Sequence, residues 1–161
     1  MVKKLILIIL LGACFHVKAQ TPTATIEVED HSIAAQLYTK CFPNLNQGAA
    51  FFEKYPNFER KTFCSLLSCS YLLSYKETEI QQAAEDLLRG ITIQLYREGN
   101  PVYMISGMES GTRENKENEN LEDDNHLVYI SFGECVNPPF LHKAAKIINQ
   151  ETHRLINQSK L

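Results

Sequence analysis

Between Thr78 and Phe132 the apolar residues change their period, and that change constrains the fold more than any other feature of the chain. Thr78 and Gln81 stand at capping-box spacing. Ile80, Ala83, Ala84, Leu87 and Leu88 then form an apolar arc of about 140° on a helix. Gly90 stands where the C′ glycine of such a helix belongs. From Ile91 the repeat becomes two: Ile91, Ile93 and Leu95 alternate with Thr92, Gln94 and Tyr96. Glu98-Gly99-Asn100 is a turn sequence, and Pro101 opens a second run over 102–106. This pattern predicts a β-hairpin, with a third strand over 126–132.

Helices are expected on both sides of these strands. Asp30 is a good N-cap for a short helix carrying Ile33, Leu37 and Cys41, stopped by Pro43. A second short helix is expected over 46–54, ending before Pro56. A longer one, capped by Asn57 and running to about Ser74, is apolar on every side through Phe58, Phe63, Leu66, Leu67, Tyr71, Leu72 and Leu73. Its alternating serines keep a strand in play. Pro138-Pro139 introduces the last helix, on which Leu141, Ala144, Ala145, Ile148, Thr152, Leu155 and Ile156 lie within roughly 60° of one line. The expected fold is α+β: N-terminal helices, a three-stranded antiparallel sheet and a C-terminal helix packed as one small domain over 20–161.

The first nineteen residues read as an export signal. Lys3 and Lys4 precede an apolar run of about eleven residues, and Val17 and Ala19 supply the small residues before a cut. Eleven residues of helix span about 16 Å, against roughly 30 Å of bilayer hydrocarbon. Cleavage after Ala19 frees a soluble protein beginning at Gln20. In a second reading, Leu11-Gly12-Ala13-Cys14 resembles the bacterial lipobox, so that Cys14 is lipidated and the signal ends at residue 13. Either reading places the protein outside the cytoplasm, secreted, periplasmic or anchored in the envelope by a lipid at Cys14.

Both readings also leave Cys41, Cys64, Cys69 and Cys135, an even set in an oxidising compartment. Two disulfides are expected. If Cys64 and Cys69 share one helix they cannot bridge each other. The pairings Cys41–Cys64 with Cys69–Cys135, or Cys41–Cys69 with Cys64–Cys135, then stand open.

Composition enters as a filter. With 44% apolar and 22% charged residues, the chain is neither wholly disordered nor a collagen nor a polytopic membrane protein. A formal charge of −3 shows no basic excess, so no nucleic acid is expected as partner. Much of the acid is local: 114–125 holds Glu114, Glu117, Glu119, Glu122, Asp123 and Asp124 against Lys116. The surrounding 109–125 segment is expected to be a solvated, mobile loop. It lacks the carboxylate spacing and the turn glycine of a calcium loop.

Motifs of catalysis are not found. Gly107-Met108-Glu109-Ser110-Gly111 is G-x-x-S-G, whereas a nucleophile elbow requires G-x-S-x-G. His142 and His153 share a helix face but stand about 16 Å apart along it, too far for one metal. The cysteines lack zinc-ligand spacing. His126 opens a strand beside the acidic run, where a pH-sensitive contact is conceivable. Asn157-Gln158-Ser159 fits a glycosylation sequon, but the lysine-led signal suggests a bacterial source, where that has little force. No catalytic residue, metal or cofactor is therefore assigned. The reading is an exported cell-envelope accessory protein that binds another protein. The alternatives are a small exported hydrolase, for which Glu134, His126 and Tyr129 are the first residues to inspect, and an inhibitor or immunity protein using the acidic loop.

Overall fold

A computed structural model describes residues 32–43, 45, 49–119 and 127–160. Residues 1–31, which carry the expected export signal, Cys14 and the Asp30 cap, and residues 120–126, which carry His126 and the end of the acidic run, lie outside these. The elements are α1 (Ile33–Thr39), α2 (Ala49–Lys54), α3 (Leu66–Leu72), α4 (Thr78–Arg97), β1 (Val102–Ile105), α5 (Ser110–Asn118), β2 (Val128–Ser131) and α6 (Pro139–Ser159). Among the described residues no helix is long and apolar enough to cross a membrane.

The sheet corrects the sequence expectation. Among the described residues it has two strands, not three, and they run parallel: Val102 pairs with Val128, Tyr103 with Tyr129, Met104 with Ile130 and Ile105 with Ser131. The first expected strand does not form. Ile91, Ile93 and Leu95 belong to α4, which continues to Arg97. The physical reason is that Ile80, Ala84, Leu87, Leu88, Ile91, Thr92 and Leu95 form one buried helical stripe. Over six residues the alternating run and the end of the stripe share Ile91 and Leu95. Gly90 sits inside the helix rather than ending it. A Cβ there would stand 3.0 Å from Leu45 Cδ2, so the glycine is a notch for a neighbouring side chain. The helix ends where the hairpin turn was expected. Gly99 takes φ +82°, its N–H donates to Tyr96 O, and Asn100 N–H donates to Leu95 O, the two bonds of a Schellman terminus.

The second correction follows from the first. Parallel strands need a crossover, and α5 is it. The first half of the segment expected as a solvated loop is thus an ordered helix between the strands. Its sequence, Ser-Gly-Thr-Arg-Glu-Asn-Lys-Glu-Asn, carries no apolar stripe, so hydrophobic periodicity has nothing to detect. Hydrogen bonds hold it instead. Asn118 accepts from Tyr129 N–H at 2.9 Å and donates to Tyr129 O at 2.8 Å, while Ser131 N–H donates to the Glu114 carboxylate.

The opposite edge is closed in the same way. Asn149 of α6 accepts from Met104 N–H and donates to Met104 O, both at 2.8 Å, and Thr152 Oγ1 donates to Val102 O at 2.7 Å. A two-stranded sheet is marginal alone, and open edges invite pairing with other chains. Here side chains from α5 and α6 bond to outward backbone groups on both edges.

The core lies between the sheet and the helices. Leu66, Leu88, Ile91, Leu95, Val102, Val128, Ile130 and Ile148 are among its fully buried members. The α4–α6 seam is laced by Lys143–Glu85 at 2.7 Å and by the buried Glu151 carboxylate, which accepts from Arg154 and lies 3.9 Å from Arg89.

Candidate functional site

The helix expected over 57–74 begins only at Leu66, because Ser65 and Ser68 form a reciprocal capping box there. The short α3 buries Leu66, Cys69, Ser70 and Leu72. At 100° per residue its other face carries Leu67 and Tyr71, and the following turn adds Tyr75. These three side chains are 37%, 62% and 43% exposed. They border a groove of about 480 Å³ whose opposite wall is Asn57, Phe58, Lys61 and Thr62.

This wall is not helical, and aromatic packing and one disulfide fix it. Phe51 stands at the centre of a ring cluster, with centroids 5.0 Å from Tyr55, 6.2 Å from Phe58 and 5.1 Å from Phe63. Phe58 meets Tyr75 edge-to-face at 5.4 Å, closing one end of the groove. Tyr71 meets Phe140 of α6 at 5.4 Å. Lys54 pairs with Glu79, and this bond holds the Glu79 carboxyl below its usual range.

Cys41 is joined to Cys64 at the foot of the wall, with their Cα atoms 5.0 Å apart, and Phe42 N–H donates to Cys64 O at 3.0 Å. The expected second bridge is not formed. Cys69 is a buried thiol in α3 and Cys135 an exposed one after β2. Burial pushes the Cys69 thiol up to about 12, partly offset by its hydrogen bond with Ser68.

Among the described residues the groove lining is apolar and hydroxylic, with the Asn57 amide and with Lys61 as its single charged side chain. Among the described residues it contains no carboxylate, imidazole or thiol. It offers aromatic area, small hydroxyls and one ammonium. Periodicity missed this surface because the segment was read as apolar all round. The signal was the tyrosine at i+4 from Leu67, an aromatic with a polar tip that suits a half-wet position.

Of the residues singled out for hydrolysis, His126 lies outside the described residues. Glu134 is exposed on the loop after β2, whereas Tyr129 is half-buried in the strand against Tyr103. His142 packs on Phe132 and His153 on Tyr103, at different points along α6. Ser110, the serine of the elbow-like sequence, is buried. Its hydroxyl lies 2.7 Å from Ser131 Oγ and donates to Gly133 O at 3.1 Å, tying the loops after the two strands together. Among the described residues no cluster of three His, Cys, Asp or Glu side chains stands ready for a metal ion. No family model, curated protein or solved structure matches the chain.

Proposed function

We propose that this chain is an extracytoplasmic binding protein that holds an extended segment of a partner protein in the groove beside α3. The observation that carries the proposal is the joint exposure of Leu67, Tyr71 and Tyr75 on one concave surface. Large apolar side chains scattered singly need no explanation, but three around one groove mark a contact site. Aromatic anchors in pockets dominate protein interfaces. Lys61 favours a segment that brings a carboxylate, either a side chain or the chain terminus. The export signal and the disulfide support placement outside the cytoplasm.

Two measurements test this reading. The intact mass of exported protein should correspond to a start at Gln20 or at lipidated Cys14; retention of Met1 removes the extracytoplasmic half. A photo-crosslinker at position 71 should trap one extracytoplasmic protein through an extended segment, mapped by mass spectrometry. Leu67→Glu should abolish the adduct while leaving the melting temperature nearly unchanged. An adduct that survives Leu67→Glu overturns the groove as the site.

A further inference from the structure

The outer face of the sheet carries a row of four side chains from four elements. His153 of α6 meets Tyr103 of β1, ring centroids 5.4 Å apart and planes at 74°. Tyr103 meets its register partner Tyr129 at 5.9 Å and 64°. The Arg113 guanidinium of α5 lies 5.8 Å from the centre of the Tyr129 ring. The edge caps produce this row, because Asn118 and Asn149 hold α5 and α6 against the strands on either side. Edge-to-face packing leaves each tyrosine with a ring face that the other does not cover.

Helix α6 extends the row. Lys146, Gln150, His153, Asn157 and Lys160 recur at three- and four-residue intervals and are all exposed. None is acidic. Glu151 is turned into the α4–α6 seam, bonded to Arg154. On α5, Glu114 is engaged by Ser131 N–H, and the acids one turn from Arg113 are the exposed Glu109 and the half-buried Glu117.

Ring faces, flanking cations and interspersed amides suit one ligand chemistry. Pyranose rings lay their C–H faces on aromatic rings, amides bond to sugar hydroxyls, and carboxylates pair with guanidinium and ammonium groups. The spacings along the row are comparable with one sugar residue of an extended chain. We infer that this face is a second binding site, for a polysaccharide bearing hexuronate carboxylates. It shares no residue with the groove beside α3.

The test is a titration of the exported full-length protein with oligogalacturonate, followed by tyrosine fluorescence, beside a neutral hexose oligomer of equal length and a single-stranded oligodeoxynucleotide. Saturable binding of oligogalacturonate is expected, weakened by salt as screening requires. The neutral oligomer should bind at least about tenfold more weakly, and the Arg113→Gln/His153→Gln pair should lose at least about tenfold in affinity. If the pair melts early, Lys146→Gln/Lys160→Gln on the exposed face replaces it, with a loss of about threefold or more expected. No binding of oligogalacturonate, equal binding of the neutral oligomer, or parental affinity in a folded charge-deleted variant overturns the proposal. Tighter binding of the oligodeoxynucleotide also overturns it.

Discussion

Asn118 and Asn149 stand in equivalent relations to the two edges of one sheet. Each presents its side-chain amide to the N–H and C=O of a single strand residue, Asn118 to Tyr129 and Asn149 to Met104. In a parallel pair, residues 102 and 104 of β1 turn their backbone groups away from β2, and residues 129 and 131 of β2 turn theirs away from β1. Among the described residues those outward groups meet no further strand. An amide supplies one donor and one acceptor in the arrangement that a strand would offer. Replacing Asn149 by Ala leaves the Met104 N–H and C=O without these partners. A loss of about 1–3 kcal/mol in urea unfolding is expected. Asn149→Asp should cost a similar amount, because a carboxylate cannot donate to Met104 O. A variant as stable as the parent would show that water replaces the cap.

The acidic segment should divide sharply by residue. Glu114 accepts from the outward Ser131 N–H, whereas Glu119 is exposed beyond the last turn of α5. Glu114→Ala is expected to cost about 1–3 kcal/mol. Glu119→Ala should stay within about 0.5 kcal/mol, as for other solvated surface changes. Equal effects at the two positions would contradict the edge-cap account.

That division explains why α5 was illegible in the sequence while α6 was plain. Helix α6 buries Ala144, Ala145, Ile147 and Ile148, and its apolar stripe and opening prolines announce it. Helix α5 buries only Ser110 and is held by Glu114 and Asn118, residue types that serve equally in a solvated loop. Polar attachment leaves no periodic trace, and without α5 the strands appeared antiparallel. The candidate groove was hidden for a related reason. Leu67 and Tyr71 are as apolar as the residues buried behind them, and only the capping box at Ser65 fixes which face turns outward.

Gly90 offers a test of the period that was misread. On helix propensity alone, Gly90→Ala in the interior of α4 should stabilise by about 0.5–1 kcal/mol. The new Cβ meets Leu45 Cδ2 at 3.0 Å, and the leucine terminus must shift. The two effects oppose, so the alanine variant should be close to neutral by thermal melting. Gly90→Val should destabilise by about 1–3 kcal/mol through overpacking. A clear gain from valine would show that Leu45 does not pack on the notch.

The disulfide and the buried thiol make separable predictions. Cys41–Cys64 has a sequence separation of 23, and its reduction should lower stability by about 2–4 kcal/mol. In unreduced protein cut after Ala19, one thiol, Cys135, should react in the native state and a second, Cys69, only on unfolding. Four reactive thiols after unfolding would exclude the Cys41–Cys64 bridge, and none would mean that Cys69 and Cys135 are oxidised.

Cys69 also sets a dependence on pH, best read in a Cys135→Ser background that prevents disulfide exchange. Burial disfavours the thiolate and holds the folded thiol at about 12, above its ordinary value of 9.0. Below pH 9 both states keep the proton, and the contribution is fully present. As pH rises past 9 the unfolded chain releases its proton while the folded chain holds it, so stability falls until about pH 12. The slope approaches about 1.4 kcal/mol per pH unit for one proton. Tyr38 adds loss of the same sign, because burial raises its hydroxyl too, with the Ser70 hydrogen bond in opposition. Cys69→Ala removes the thiol contribution and leaves that of Tyr38. The alanine variant should therefore be less stable than its parent at pH 7, from the lost packing. The gap between them should narrow steadily in urea unfolding between pH 9 and pH 11, and a constant gap would show that Cys69 ionises as easily in the folded chain as in the unfolded one.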